Sequence, residues 1–98
     1  MAVYLIHLDR PIGDTSKTHG QAQHYIGFAH DVDARLVDHR TGWGARMLAH
    51  CNAIGVGYQV ARVWPDGDRA LERRLKNRKE GPMLCPICNP AGAERLAG

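Results

Sequence analysis

His24-Tyr25-Ile26-Gly27-Phe28-Ala29-His30-Asp31-Val32-Asp33-Ala34-Arg35-Leu36-Val37-Asp38-His39-Arg40 is the stretch on which the fold turns. It opens with an apolar burst, His24 to Phe28, that reads as a strand. Asp31 then stands where a helix N-cap belongs, because its carboxylate can take up a free amide hydrogen of the first turn. The helix runs from Val32 to Arg40 and Thr41-Gly42 closes it. Val32 and Leu36, four apart, share its buried face, while Arg35 and His39, also four apart, project together from one side. Toward the N-terminus, Val3 to Leu8 is almost wholly apolar and is followed by the breakers Asp9, Pro11, Gly13 and Asp14. That pattern predicts a strand covered on both faces and paired with the second one. Arg10 to Gln23 is polar and reads as an extended hairpin connection, longer than hairpins usually have.

Toward the C-terminus, Trp43 to Asn52 predicts a second helix with Met47 and Leu48 facing inward, and Gly55 precedes a third strand, Val56 to Trp64. Pro65-Asp66-Gly67 makes a turn. Asp68 caps a last helix reaching about Lys79, in which Leu71 and Leu75 form an apolar seam, and Gly81-Pro82 stops it. The expected fold class is therefore α/β in the α+β sense: a three-stranded antiparallel sheet, strands near residues 2 to 8, 22 to 28 and 56 to 64, flanked by three helices. Residues 1–82 are expected to form the body of the domain. Residues 83–98 form a tail of the same domain, with an Ala/Gly-rich end expected to fray.

A chain of 98 residues supports one hydrophobic core. Hydrophobic residues at 44% and charged residues at 23% exclude a disordered chain. The apolar runs fall far short of the roughly 20 residues that cross a bilayer, and Met1 to Leu8 lacks the basic start of a secretion signal, so a cytoplasmic location is expected. Three cysteines, two of them only three positions apart, do not make a disulfide framework and point to reduced thiols or a metal site. The net charge of +3 is modest, but Arg69, Arg73, Arg74, Lys76, Arg78 and Lys79 crowd one segment against Glu72 and Glu80. Such a surface attracts a polyanion through counterion release; its plainer reading is a solvated helix face.

In this order the sequence resembles the GIY-YIG nuclease family, from Ala2-Val3-Tyr4 through Tyr25-Ile26-Gly27 to Glu72. Residues 25–36 are similar to that family's second motif leading into its arginine-bearing helix, and His39 stands where many members have a histidine. Each tyrosine taken alone would read as core packing; their joint occurrence with Arg35, His39 and Glu72 is what carries the resemblance. It implies a metal-dependent DNA endonuclease of low intrinsic sequence specificity, with DNA, single-stranded, duplex or branched, as partner and with specificity left to DNA structure, the long hairpin connection or a partner protein. By resemblance Tyr4 is the leading general base, and Tyr25 positions the attacking water or a phosphate oxygen. The chemistry of phosphodiester hydrolysis suits the remaining types: Arg35 grips the phosphate with its planar fork, and Glu72 holds one Mg²⁺ or Mn²⁺. A phenol near pKa 10 needs help, and His39, Arg35 or a metal-bound water is expected to lower it or to accept the proton in relay, which leaves Tyr4 or His39 as the general base. The first motif keeps the tyrosine but not the glycine, and the two tyrosines stand further apart than in most members. His30 replaces a lysine that many members carry after the second motif and is expected at phosphate. Asn89 is favoured over Asn77 as the family's late asparagine.

Cys85-Pro86-Ile87-Cys88 has the spacing of half a zinc site, to which the adjacent His50 and Cys51 could supply one or two ligands; two reduced thiols in a packed turn are the favoured reading, and a structural zinc the alternative. His7, His19 and His24 suggest no pattern. Two other functions compete with a nuclease: a non-catalytic nucleic-acid-binding module built on the basic helix and the Cys-x-x-Cys tail, and a small accessory protein using the same fold for protein contacts.

Overall fold

The computed structural model describes residues 1–13, 21–78 and 81–90. Strands β1 (Ala2–Gly13), β2 (Gln21–Ala29) and β3 (Tyr58–Pro65) form one antiparallel sheet in the order β2-β1-β3. Helices α1 (Val32–Arg40), α2 (Arg46–Ile54), α3 (Arg69–Arg78) and α4 (Gly81–Leu84) surround it. The expected architecture is present, with one short helix more.

The position of β1 explains its sequence. A strand paired on both edges and covered on both faces meets no water, and every residue from Val3 to Leu8 is buried. Alternation sorts these side chains into two layers. Tyr4, Ile6, Leu8 and Ile12 join Leu48, Cys51, Val56 and Tyr58, with Val32 and Leu36 of α1 packed alongside. Val3 and Leu5 point the other way and meet Ile26, Trp64, Leu75, Leu84 and Cys85, with Leu71 beside them. On β2, Tyr4 faces Gly27, Ile6 faces Tyr25 and His7 faces His24; the ladder is then irregular until Ile12 meets Ala22. The helix starts follow the caps read from the sequence: Asp31 Oδ1 accepts from Ala34 N at 3.1 Å, and Asp68 Oδ1 accepts from Leu71 N at 2.8 Å.

Four expectations need correction. Residues 10–13 and 21, read as connection, belong to strands, because Ile12 and Gly13 pair with Ala22 and Gln21 across the irregularity. The third strand begins at Tyr58, and Val56 is a buried residue preceding it. The second helix starts at Arg46 and not at Trp43, since the Trp43 amide donates to Asp38 O at 2.9 Å and so finishes α1, while the Trp43 side chain stays exposed. Gly81-Pro82, read as a stop, opens α4; proline fits a first helical turn, where its missing N–H is not needed. Leu84 and Cys85 are fully buried, so the chain beyond residue 82 contributes to the core. Residues 14–20, including His19, together with Lys79, Glu80 and residues 91–98, lie outside the described residues. Among the described residues no helix is long and apolar enough to cross a membrane.

Leu84 tests this contribution. Truncation to alanine removes a fully buried side chain from the layer under β1. Leu84→Ala is expected to cost about 2–4 kcal/mol, read in urea as a lower midpoint at unchanged slope.

Candidate functional site

Strand β1, strand β2 and helix α1 bring three rings together on one face of the sheet. The Tyr4 and Tyr25 ring centroids are 6.2 Å apart, and His39 stands 6.0 Å from Tyr4 and 5.6 Å from Tyr25. The pairing of Tyr4 with Gly27 is what allows it. A side chain at Gly27 would run into the Tyr4 ring, so the glycine of the Tyr-Ile-Gly triplet makes room for the tyrosine of the first motif. Gly44 does the same for His39: a Cβ there would collide with the imidazole. Arg35 and His39 share a side of α1 as the spacing predicts, and the Arg35 guanidinium is near enough for its charge to act on Tyr4.

The direction of the central hydrogen bond follows from its neighbour. The Ala45 amide donates to His39 Nδ1 at 3.1 Å, and a backbone N–H cannot accept, so Nδ1 carries no proton. In the neutral ring the proton is therefore on Nε2, which lies 2.7 Å from Tyr4 Oη and donates to it. His39 is fully buried, and burial followed by the Arg35 charge lowers its pKa from 6.5, against a smaller opposing effect of Asp38; the ring is neutral at neutral pH. Tyr4 then receives a hydrogen bond from His39 while its own proton is left to point elsewhere. Burial, together with Tyr25, pushes the Tyr4 phenol up to about 12; Arg35 pulls it down, and the Glu72 charge adds a small rise. In this neutral form His39 meets Tyr4 as a donor.

Asn52 of α2 secures this arrangement by donating to His39 O at 2.7 Å while accepting from the Tyr58 hydroxyl at 2.9 Å. No sequence pattern singled out Asn52 or Tyr58. Helix α3 contributes the acidic group. Glu72, its side chain only 13% exposed, lies between Lys76 Nζ at 3.5 Å and Arg69 Nη1 at 3.7 Å and is close enough for its charge to act on Tyr4. Lys76 also reaches over the Tyr25 ring at 5.9 Å, so a lysine does stand beside the second tyrosine, supplied from α3. Among the described residues, no group of three or more His, Cys, Asp or Glu ligands includes Glu72.

Other expected site residues lie apart. The Asn89 side chain donates to Met83 O at 2.8 Å and its amide donates to Cys85 O at 2.8 Å, so it closes the cysteine turn rather than joining the tyrosines. Asn77 is exposed on α3. His30 is exposed with its ring 6.3 Å from Phe28, over which Arg69 stacks at 4.8 Å. Arg73, Arg74 and Arg78 are exposed on the same helix as Arg69 and Lys76.

The cysteine turn has partners that the sequence reading did not choose. Cys51 is fully buried in the layer of Tyr4 and Leu48, His50 is exposed, and Cys85 belongs to the opposite layer, so these residues do not assemble with Cys88 as one set. Cys85 and Cys88 instead meet His7 of β1 and His24 of β2, a group that could hold a metal ion. His7 Nδ1 is 3.6 Å from both sulfurs, His24 Nε2 is 3.5 Å from Cys88 Sγ, and the two nitrogens are 3.3 Å apart. Burial and then the His7 charge hold His24 down at about 4, so it presents the neutral, ligating form of imidazole. A signal for this pair did exist: placing Tyr4 opposite Gly27 in an antiparallel ladder puts position 7 opposite position 24. No family model matches this sequence, and neither a characterised protein nor a solved structure matches it.

The His39 assignment is open to a direct check. Long-range ¹H–¹⁵N correlation at pH 6.5 should show a neutral imidazole protonated at Nε2. Because the folded pKa is lowered, stability linked to this ring is full above 6.5 and falls as pH drops below that value, where the unfolded ring takes up a proton first. An Nδ1–H ring at pH 6.5 would refute the donor role.

Proposed function

We propose that this chain is a GIY-YIG-type endonuclease that hydrolyses phosphodiester bonds of DNA with one hard divalent cation. One observation carries the proposal: residues 4, 25, 35, 39 and 72 come from β1, β2, α1 and α3, and the Tyr4 hydroxyl bonds His39 beside the Tyr25 ring while the charges of Arg35 and Glu72 act on it. Ordinary core packing does not call for a buried histidine on one phenol together with a nearby arginine and glutamate.

Glu72 fits a hard cation. It is a lone carboxylate, partly open to solvent, and Mg²⁺ or Mn²⁺ completes such a site with waters and a substrate oxygen. When bound, the ion draws charge off the phosphate and the leaving oxygen. The chain's own groups do the rest. Arg35, 38% exposed, offers guanidinium hydrogens to non-bridging oxygens, and Tyr25 and Lys76 border the same space. Tyr4 takes the proton of the attacking water as its oxygen bonds to phosphorus and the P–O bond to the leaving group breaks. The base is the Tyr4 phenolate, which His39 Nε2–H stabilises by donating to it and Arg35 by its charge before the transfer; taking the water's proton returns it to the neutral phenol within an arrangement of fixed groups. Exposed Arg73 and Arg74 on α3 supply a salt-sensitive, sequence-independent grip on the backbone.

Plasmid nicking with added Mg²⁺ or Mn²⁺ is the expected activity, with Glu72→Ala and Tyr4→Phe each lowering the rate by about 10²–10⁴-fold. A phenol held at about 12 is a scarce base at neutral pH, so single-turnover rates should keep rising through the alkaline range. A plateau in the imidazole range would transfer the proton to another group. DNA bound with a steep salt dependence, uncut and indifferent to the cation, would replace catalysis with the binding-module reading.

A further inference from the structure

Four ligand-type side chains converge on the sheet face opposite the tyrosine cluster. His7 and His24 face each other across β1 and β2, at the last regular pair before the ladder breaks. Cys85 and Cys88 come from the turn after α4, which packs close to β2: a Cβ at Gly81 would stand 3.0 Å from the Cβ of His24. Backbone bonds give the turn its shape, with Cys85 N donating to Gly81 O at 3.0 Å and Asn89 N to Cys85 O at 2.8 Å. We propose that His7 Nδ1, His24 Nε2, Cys85 Sγ and Cys88 Sγ bind one zinc ion in a closed tetrahedral structural site.

The distances carry the assignment. Zinc holds thiolate sulfur at about 2.3 Å and imidazole nitrogen at about 2.0–2.1 Å; on a tetrahedron these radii put sulfur and nitrogen about 3.5 Å apart and two nitrogens about 3.3 Å apart. The protein has sulfur–nitrogen separations of 3.6, 3.6 and 3.5 Å and a nitrogen–nitrogen separation of 3.3 Å. All four ligand atoms lie within 4.8 Å of one another, so closing the figure moves the most distant pair by about 1 Å. The donor set points the same way. Two thiolates balance the charge of a divalent ion, and sulfur with imidazole selects a borderline-soft metal over Mg²⁺. Four protein ligands leave no open position, which makes the ion structural rather than catalytic.

Such an ion ties three distant parts of the chain together. It clamps β1 to β2 where their register would otherwise be free to slip and fixes the 85–90 turn beneath the sheet. The site stands independently of the nuclease proposal: its zinc is a resident ion, separate from the cation proposed at Glu72.

Metal analysis of the chain purified under reducing conditions tests it. One zinc per chain is expected in the wild type and in Cys51→Ser and His50→Ala, and less than a tenth of that in Cys88→Ser and His24→Ala. Since the latter variants can fail for lack of folding, the wild type carries a second readout. After chelation, added Co²⁺ should produce the intense visible bands of a tetrahedral site with thiolate charge transfer, and equimolar Zn²⁺ should bleach them. Chelation should also lower the melting temperature by about 10 °C or more. A wild type without zinc that gives no tetrahedral Co²⁺ spectrum overturns the proposal, as does loss of the metal from Cys51→Ser, or a Cys85–Cys88 disulfide in protein kept reduced.

Discussion

The pairing of Tyr4 with Gly27 is the constraint on which the rest depends. A large ring on a central strand needs volume above its cross-strand partner, and only a residue without a Cβ leaves it. Once that pair is set, antiparallel geometry dictates the neighbours. Ile6 faces Tyr25, which brings the second tyrosine to the first; His7 faces His24, which brings the two imidazoles together on the other side of the sheet. A slip of one residue would exchange the two faces of β2 and dismantle both clusters. The Tyr-Ile-Gly triplet thus acts through packing before it acts through chemistry.

The tyrosine cluster is organised by donors. Ala45 N–H fixes the tautomer of His39, and His39 in turn donates to Tyr4. Gly44 permits that approach, and Asn52 joins the end of α1 to Tyr58 of β3. Burial works against ionisation of the phenol while Arg35 works for it, and burial prevails in the protein alone. The basic residues of α3 have two orders of involvement: Arg69 and Lys76 engage Glu72 and the aromatic rings, whereas Arg73 and Arg74 face outward.

Much of this was legible beforehand, for local reasons. Helix α1 lies at the bounds its cap and stop residues mark, β1 is buried as its unbroken apolar run requires, and Arg35 and His39 share a side because a helix repeats every 3.6 residues. The elements that were misjudged are those where neighbours outweigh local pattern. Ile12 and Gly13 looked like loop, yet pair with β2 beyond an irregularity; Trp43 looked helical, yet its amide completes the previous helix; Gly81-Pro82 looked like an end, yet starts a buried turn.

The sequence by itself determined the element order, the two faces of β1 and the residue types available for chemistry, because periodicity, caps and breakers act over a few residues. Tertiary structure alone decided which cysteines meet which histidines, which nitrogen of His39 carries the proton, and that Lys76 rather than His30 stands beside Tyr25. These outcomes depend on strand register and on how closely two backbones can approach, and both are fixed by contacts between residues tens of positions apart. Cys51 and Cys85 show the distinction: identical side chains, both fully buried, they lie in opposite layers of one sheet, and among the described residues Cys85, not Cys51, belongs to the group of His and Cys ligands.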